Sequence, residues 1–403
     1  MTRHIFLLLL GIILFASCEK QNPVKDIDVF KISEYAVSAD EATEYALDFL
    51  NSSSSLKSAT KREVKRTKEM NTPFGNKKVF VVEFESGGFV LISDNLLNFP
   101  VYAYSDANIW EFERFSDMAP AAKEWLMRSI QLNLEIESDT VLQRLNNTCA
   151  MWKRTDINPV GLKSVDPDEC IDEYIGIDQF IYNSSILSSH WRQGNPFNAC
   201  LADPNSSCIY PVGCGPVAAG QIMYFWEHPN YIDWNNINPV YPLYSTEDCA
   251  SPIAQLMYTL TKKTGTSNKC DYGLTFPNEL VNGIKAMGYN AEKDDFDYKL
   301  LKQNVAAGHP VIIKGADNLF SQHYWVCDGY REIKDVWSTT CFLPSGPVTH
   351  TWTTNDRAYV HLNWGWGDPS QNIWYGINDI TRPEGSTKDY NRYMKLIHNI
   401  YPN

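Results

Sequence analysis

The sequence predicts an α+β protein in two parts, on three observations. Along the C-terminal part, helix-spaced apolar residues come first and β-rich runs come later, which is the order of an α+β arrangement. The N-terminal part is smaller and holds a helix, a pair of strands and a second helix. Between them, residues 146–172 lose their periodicity, and Asn158–Asp168 is dense in turn formers. A chain of 403 residues has room for two or three domains.

Arg3 and His4 precede an apolar run from Ile5 to Phe15. That run has the length of a secretory h-region and is too short to span a bilayer. Ala16 and Ser17 stand directly before Cys18, and the segment resembles a bacterial lipoprotein signal. Phe15 holds the place where that motif usually has leucine, and Leu14 comes one earlier. The expectation is a signal over 1–17, a lipid on the Cys18 sulfur, and a polar tether over 18–30. The protein would then be an exported lipoprotein of the cell envelope, at the outer membrane or cell surface, with release after processing.

Ser38 and Glu41 form a capping box, and Ala42, Tyr45, Ala46, Phe49 and Leu50 follow as one apolar stripe. Lys57–Lys68 reads as a solvated basic segment. Lys78–Phe84 and Phe89–Ser93 are strands around Gly87 and Gly88, Asn98–Tyr104 suggests a third, and Ala119–Ile136 is helical. These make a small domain over 31–145. The stretch 146–173 is an exposed linker, where proteolytic nicking concentrates. The larger domain runs over 174–403, with helices after Gly213, over Pro252–Lys263 and over Asn278–Met287, and strands over Pro310–Lys314, His323–Asp328 and Arg357–Asn363.

The net charge of −13 argues against a nucleic-acid partner, which needs a basic face. Ten cysteines in an exported chain permit disulfides, and Cys200 with Cys208, then Cys249 with Cys270, are the first pairs expected. No pair of cysteines has C-x-x-C spacing, so neither a metal site nor a cofactor is expected.

Cys214 stands where a helix begins. Pro216 suits the first turn, and Val217, Ala218, Ile222 and Trp226 follow at helical spacing. Unpaired N–H groups and the helix dipole favour a thiolate at that position, the form in which cysteine attacks. Such a nucleophile needs a base and oxyanion donors. Among eight histidines, His323 opens a strand after a loop and is placed to face a cleft, whereas His361 lies inside a strand beside Asn363 and Trp364.

Gly213-Cys214 with Gln221-Ile222-Met223, His323–Gly329 ending in Asp328-Gly329, His361–Gly367 and Gln193–Asn198 together resemble the motifs of the streptopain family of cysteine peptidases, in that family's order. Residues 30–140 resemble its propeptide. The resemblance implies a papain-like peptidase domain, part helical and part antiparallel sheet, behind a small α+β propeptide that inhibits it within the chain. It implies that Cys214 is the nucleophile, paired as thiolate with the imidazolium of His323. Gln193 and the Cys214 N–H would hold the oxyanion. Asn363 and Trp364 would belong to the segment supporting the imidazole, with Trp366 a core aromatic. The expected function is a cysteine endopeptidase made as a zymogen and acting on proteins or peptides. The alternative is a non-catalytic surface lipoprotein binding peptides or glycans in an aromatic-rich cleft. Two features depart from the family. Gln322 stands where glycine is usual, and Arg331–Asp356 is longer than the usual hairpin, reading as an exposed, cross-linked flap.

Overall fold

The computed structural model describes residues 35–53, 62–74, 77–132, 151–152, 170–183, 185–203, 207–316, 322–343, 346–377 and 394–403. The expected signal, Cys18, the tether, Cys149 and most of the linker lie outside the described residues. Among the described residues no helix is long and apolar enough to cross a membrane.

The N-terminal domain begins as its capping box dictates. The Ser38 N–H donates to Glu41 Oε2 at 2.8 Å, and the Glu41 N–H donates back to Ser38 Oγ at 3.2 Å. Helix α1 (Ala39–Ser53) then buries Ala42, Tyr45, Ala46, Phe49 and Leu50 against strands β2 (Lys78–Phe84) and β3 (Phe89–Ser93). Strand β1 (Val64–Asn71) pairs with β2, so part of the expected solvated segment Lys57–Lys68 is an edge strand. Lys65 is exposed, whereas Arg66 pairs with the buried Glu83 and Lys68 donates to the Phe112 carbonyl at 3.1 Å. Strand β4 (Val101–Ser105) and helix α2 (Pro120–Leu132) complete this domain.

Strand β5 (Cys170–Asn183) opens the C-terminal domain. The expected linker is therefore shorter at its end, and within it Trp152 is buried and donates to the Asn98 carbonyl at 2.9 Å. A helical half follows: α3 (Cys214–Trp226), α4 (Pro252–Lys263), the small pair β6 (Ser267–Asn268) and β7 (Gly273–Leu274), and α5 (Pro277–Lys285). Strand β8 (Tyr289–Asp295), helix α6 (Tyr298–Ala306), and strands β9 (Val311–Ala316), β10 (Gln322–Leu343), β11 (Gly346–Asn363), β12 (Trp374–Gly376) and β13 (Lys395–Pro402) make the sheet half.

Both domains share one antiparallel sheet of eleven strands, in the order β1-β2-β3-β4-β12-β11-β10-β9-β13-β8, with β5 beside β10. The junction is the β4–β12 pair, where Trp374 faces Tyr104 and Tyr375 faces Ala103. Strand β10 is long enough to serve two neighbours: Gln322–Cys327 pairs with β9, and Tyr330–Cys341 pairs with β5. The segment Arg331–Asp356 is a paired extension of the hairpin, exposed over 348–351 and cross-linked through Cys341, as expected of it, but also paired along β5. Its base is buried, with Arg331, Ile333 and Arg357 packed towards the N-terminal domain. Arg331 donates to the Tyr104 hydroxyl and Arg357 to the Tyr45 hydroxyl, each at 2.7 Å.

The disulfides differ from those expected. Cys200 pairs with Cys249 and Cys208 with Cys270. The reason is local. Ala202 bridges Ile209, with the Tyr210 N–H on the Leu201 carbonyl at 3.1 Å, and each cysteine is bonded outward to a neighbouring segment. Cys341 is disulfide-bonded, and Cys327, expected among the pairing candidates, is free and fully buried.

Candidate active site

Gly213 caps α3 with φ 95° and ψ 143°. Any Cβ there would lie 3.1 Å from Thr266 Cγ2 and 3.3 Å from the Gly273 carbonyl oxygen, so the turn that presents Cys214 needs glycine both for its dihedrals and for its space. Cys214 is the first residue of the helix and is buried. Burial pushes its thiol pKa above the usual value, while the N–H groups of Tyr324, Gly215 and Cys214 itself pull the other way. The thiolate expected from the helix start is therefore not favoured in this arrangement, because desolvation outweighs the three donors.

His323 opens β10, next to the residue whose N–H reaches the thiol. Its Nε2 lies 3.0 Å from the Trp364 carbonyl oxygen, and the Trp366 indole Nε1 lies 3.2 Å from the same nitrogen. One nitrogen cannot serve both at once: it donates to the carbonyl as N–H or accepts from the indole as a bare nitrogen. Among the described residues no hydrogen bond joins His323 to Cys214. Burial pushes the His323 pKa down to about 4, with the Trp364 carbonyl opposing. Burial thus acts against charge on both groups in this arrangement.

Trp364 is buried. Its ring packs on Trp325 with centroids 5.0 Å apart, its Nε1 donates to the Tyr375 hydroxyl at 3.1 Å, and its backbone N–H donates to Asn372 Oδ1 at 3.1 Å. Asn363 does not reach the imidazole. It donates to the Ser189 carbonyl at 2.7 Å and accepts the Gly365 N–H at 3.2 Å, which shapes the turn carrying Trp364 to Gly367. Trp366 is not a core aromatic: it is 39% exposed and its ring centroid lies 5.6 Å from that of His323. Sequence reasoning placed it wrongly because a tryptophan between two glycines carries no burial signal of its own.

The carbonyl of Gln193 accepts the Val212 N–H at 2.9 Å, which ties its loop to the turn before Cys214. The Trp191 N–H is held by the buried Gln221 carbonyl at 3.2 Å, so the glutamine in the Cys214 helix fixes the segment that carries Gln193. Gln193 itself is half-buried, and among the described residues its side-chain amide has no hydrogen-bond partner. The structure therefore brings Cys214, the entrance of β10 and the Gln193 loop together, and Trp364 meets His323 through its backbone carbonyl.

The N-terminal domain grips the same neighbourhood. Trp125 of α2 lies 5.9 Å from the Trp325 ring and 6.1 Å from the Trp364 ring, and its Nε1 is 3.4 Å from the Gly376 carbonyl. The Ala119 N–H donates to Gln371 Oε1 at 2.6 Å, and Asn108 donates to the Pro369 carbonyl at 2.9 Å.

Comparison with known proteins agrees with this division. Residues 191–375 match the Peptidase C10 family model, and residues 34–131 match that of the Spi protease inhibitor. Streptopain of Streptococcus pyogenes is 21% identical over 438 residues, covering 93% of this chain and 94% of that protein. The structure of a prointerpain A fragment from Prevotella intermedia superimposes with a TM-score of 0.52 at 18% identity, over 84% of this chain and all of the fragment, and so shares the fold. The chain thus carries a cysteine peptidase domain matching the Peptidase C10 (streptopain) family, with a Spi-type inhibitor domain on its N-terminal side.

Proposed function

We propose that this cysteine peptidase is an endopeptidase zymogen in which Cys214 attacks the peptide carbonyl. The tetrahedral oxyanion rests on the Gln193 amide and the Cys214 N–H. His323 gives its proton to the leaving amine, and a thioester joins the acyl group to Cys214. His323 then activates water, which hydrolyses the thioester. Asn363 shapes the turn behind Trp364, and Trp364 supports the imidazole. The observation that carries the reading is the meeting of α3 with β10, where Cys214 and Tyr324, the neighbour of His323, share one buried cluster.

In this reading the ion pair forms only after the Spi-type domain leaves. That domain touches Trp325 and Trp364, the two tryptophans beside His323, so its departure frees the base to turn towards the thiol. Cleavage falls within the linker 146–173. The chain is further proposed to be exported and held by a lipid on Cys18, supported by the apolar run and the small residues before that cysteine. Cys214→Ala should abolish both casein hydrolysis and the appearance of a new N-terminus in the linker, each read on the purified chain. Undiminished hydrolysis by that variant would sink the reading. Metabolic labelling with palmitate, lost in Cys18→Ser, tests the anchor separately.

A further inference from the structure

Peptide hydrolysis needs the oxyanion donor and the base in one register, and a buried polar node joins the segments that carry them. His361 of β11 is buried between two acceptors. Its Nδ1 lies 2.6 Å from Asp328 Oδ1, and its Nε2 lies 3.0 Å from the Asn372 carbonyl oxygen. Since a carboxylate and a carbonyl only accept, both ring nitrogens must carry protons, and the ring is an imidazolium. Asp328, fully buried, uses its other oxygen to accept the Leu187 N–H at 2.9 Å. Asn372 accepts the Trp364 N–H through its side-chain oxygen at 3.1 Å, and its amide is 2.9 Å from His190 Nδ1.

These bonds run between the two arms of the site. Leu187 and His190 lead into Gln193. Trp364 carries the carbonyl that meets His323. Asp328 lies on the same strand as His323, and His361 leads into Asn363 and Trp364. The node thus has one end on the oxyanion arm and the other on the base arm, with His361 between them.

We infer that His361 is a positioning residue for the peptidase reaction: clamped between Asp328 and Asn372, it keeps the Gln193 segment and the His323–Trp364 segment in register. The inference rests on the roles proposed above for Gln193 and His323. A buried ion pair is a poor way to gain stability, since its desolvation cost often cancels its attraction. A clamp whose two ends have fixed directions does what an apolar side chain of the same volume cannot. Burial opposes charge on His361, but the Asp328 carboxylate and the Asn372 carbonyl outweigh it and hold its pKa above the usual imidazole value. The other titratable groups facing it are His190, held below the usual value by burial and by His361 itself, and the more distant Asp106, while Asp368 acts on His190.

The test compares His361→Gln, Asp328→Asn and the two together. In His361→Gln, the new amide oxygen faces the Asp328 carboxylate whenever its nitrogen serves Asn372. In Asp328→Asn, an amide N–H faces either the imidazolium or the Leu187 N–H. In the double variant the asparagine nitrogen donates to the glutamine oxygen, the asparagine oxygen accepts from Leu187, and the glutamine nitrogen donates to Asn372. Every bond of the node is then kept without charge. Full-length variants are processed with tagged wild-type enzyme, which is withdrawn before kcat and KM are measured on a quenched peptide.

Each single change should lower kcat about 10–100-fold with KM within about threefold, as expected when reacting groups shift by an ångström or less. The double variant should regain most of kcat. Folded single variants with native kcat would overturn the inference, and so would a folded double variant as slow as the singles. Should the singles not fold, the double variant decides alone: near-native kcat supports the clamp, and a slow folded enzyme contradicts it. A wild-type control without hydrolysis would instead remove the peptidase reading on which the clamp depends.

Discussion

The thiol side and the base side of the site are completed by different parts of the chain. Among the described residues, those that shape Cys214 belong to the peptidase domain. Helix α3 is buried from Cys214 to Met223, Gly213 sets the turn, and the two disulfides tie the preceding segment to those at Cys249 and Cys270. Around His323, part of the surroundings comes from the Spi-type domain: Trp125 packs on Trp325 and Trp364, and β4 extends the sheet through β12. The difference teaches where such an inhibitor has leverage. It touches the tryptophans beside His323, the proposed base, while Cys214, the proposed nucleophile, is framed by the peptidase domain's own residues.

Substitutions at the two sides can break that contrast. The largest effect after loss of Cys214 itself is expected at Gln193. Gln193→Ala should lower kcat of the processed enzyme by about 10²–10³, the usual cost of one oxyanion donor, and should leave precursor stability unchanged. Steady-state kinetics beside a melting curve of the precursor checks both halves of that statement. Tyr104→Phe should act in the opposite way. It removes the hydroxyl that the buried Arg331 donates to at 2.7 Å, so it should cost the precursor about 1–3 kcal/mol and leave the processed enzyme's kcat unaltered. Denaturant unfolding of the precursor reads the first, and peptide hydrolysis the second. The smallest effect is expected at Trp366, which meets His323 from the exposed side. Trp366→Phe keeps the ring and removes one N–H donor, and should change kcat by no more than about tenfold, the equivalent of a hydrogen bond of about 0.5–1.5 kcal/mol. A larger loss would mean that the indole orients the base rather than merely covering it.

Much of this division is written in local signals. The Ser38–Glu41 box and the stripe behind it depend only on neighbours a helical turn apart, and α1 and α4 form where those signals stand. The Cys214 turn is legible for the same reason, since proline, glycine and apolar spacing act within a few residues. What escaped depends on distant partners. Lys57–Lys68 looks solvated because its charges are dense in sequence, yet its described part from Val64 is a strand that β2 recruits. The hairpin beyond Arg331 looks like a flap until β5 pairs with it from more than a hundred residues upstream. Connectivity of Cys200 and Cys208 follows from how the segment bridged at Ala202 and Ile209 faces its neighbours, which no spacing reveals. His361 was legible as part of a motif, but its two acceptors come from β10 and from the loop before β12, so its charge was not.

The central claim is the proposal that the thiolate–imidazolium pair of Cys214 and His323 forms only once the Spi-type domain has left. It is tested most directly by the rate at which iodoacetamide alkylates Cys214, followed against pH in the intact chain and in the same protein after processing. Alkylation needs the thiolate. In the intact chain burial holds the thiol pKa above the usual value, so the rate should be low at neutral pH and rise only above the ordinary cysteine range. After processing, an imidazolium partner would stabilise the thiolate, and rapid alkylation should extend well into acid. The same alkaline profile before and after processing, in protein that cleaves peptides, would contradict the account.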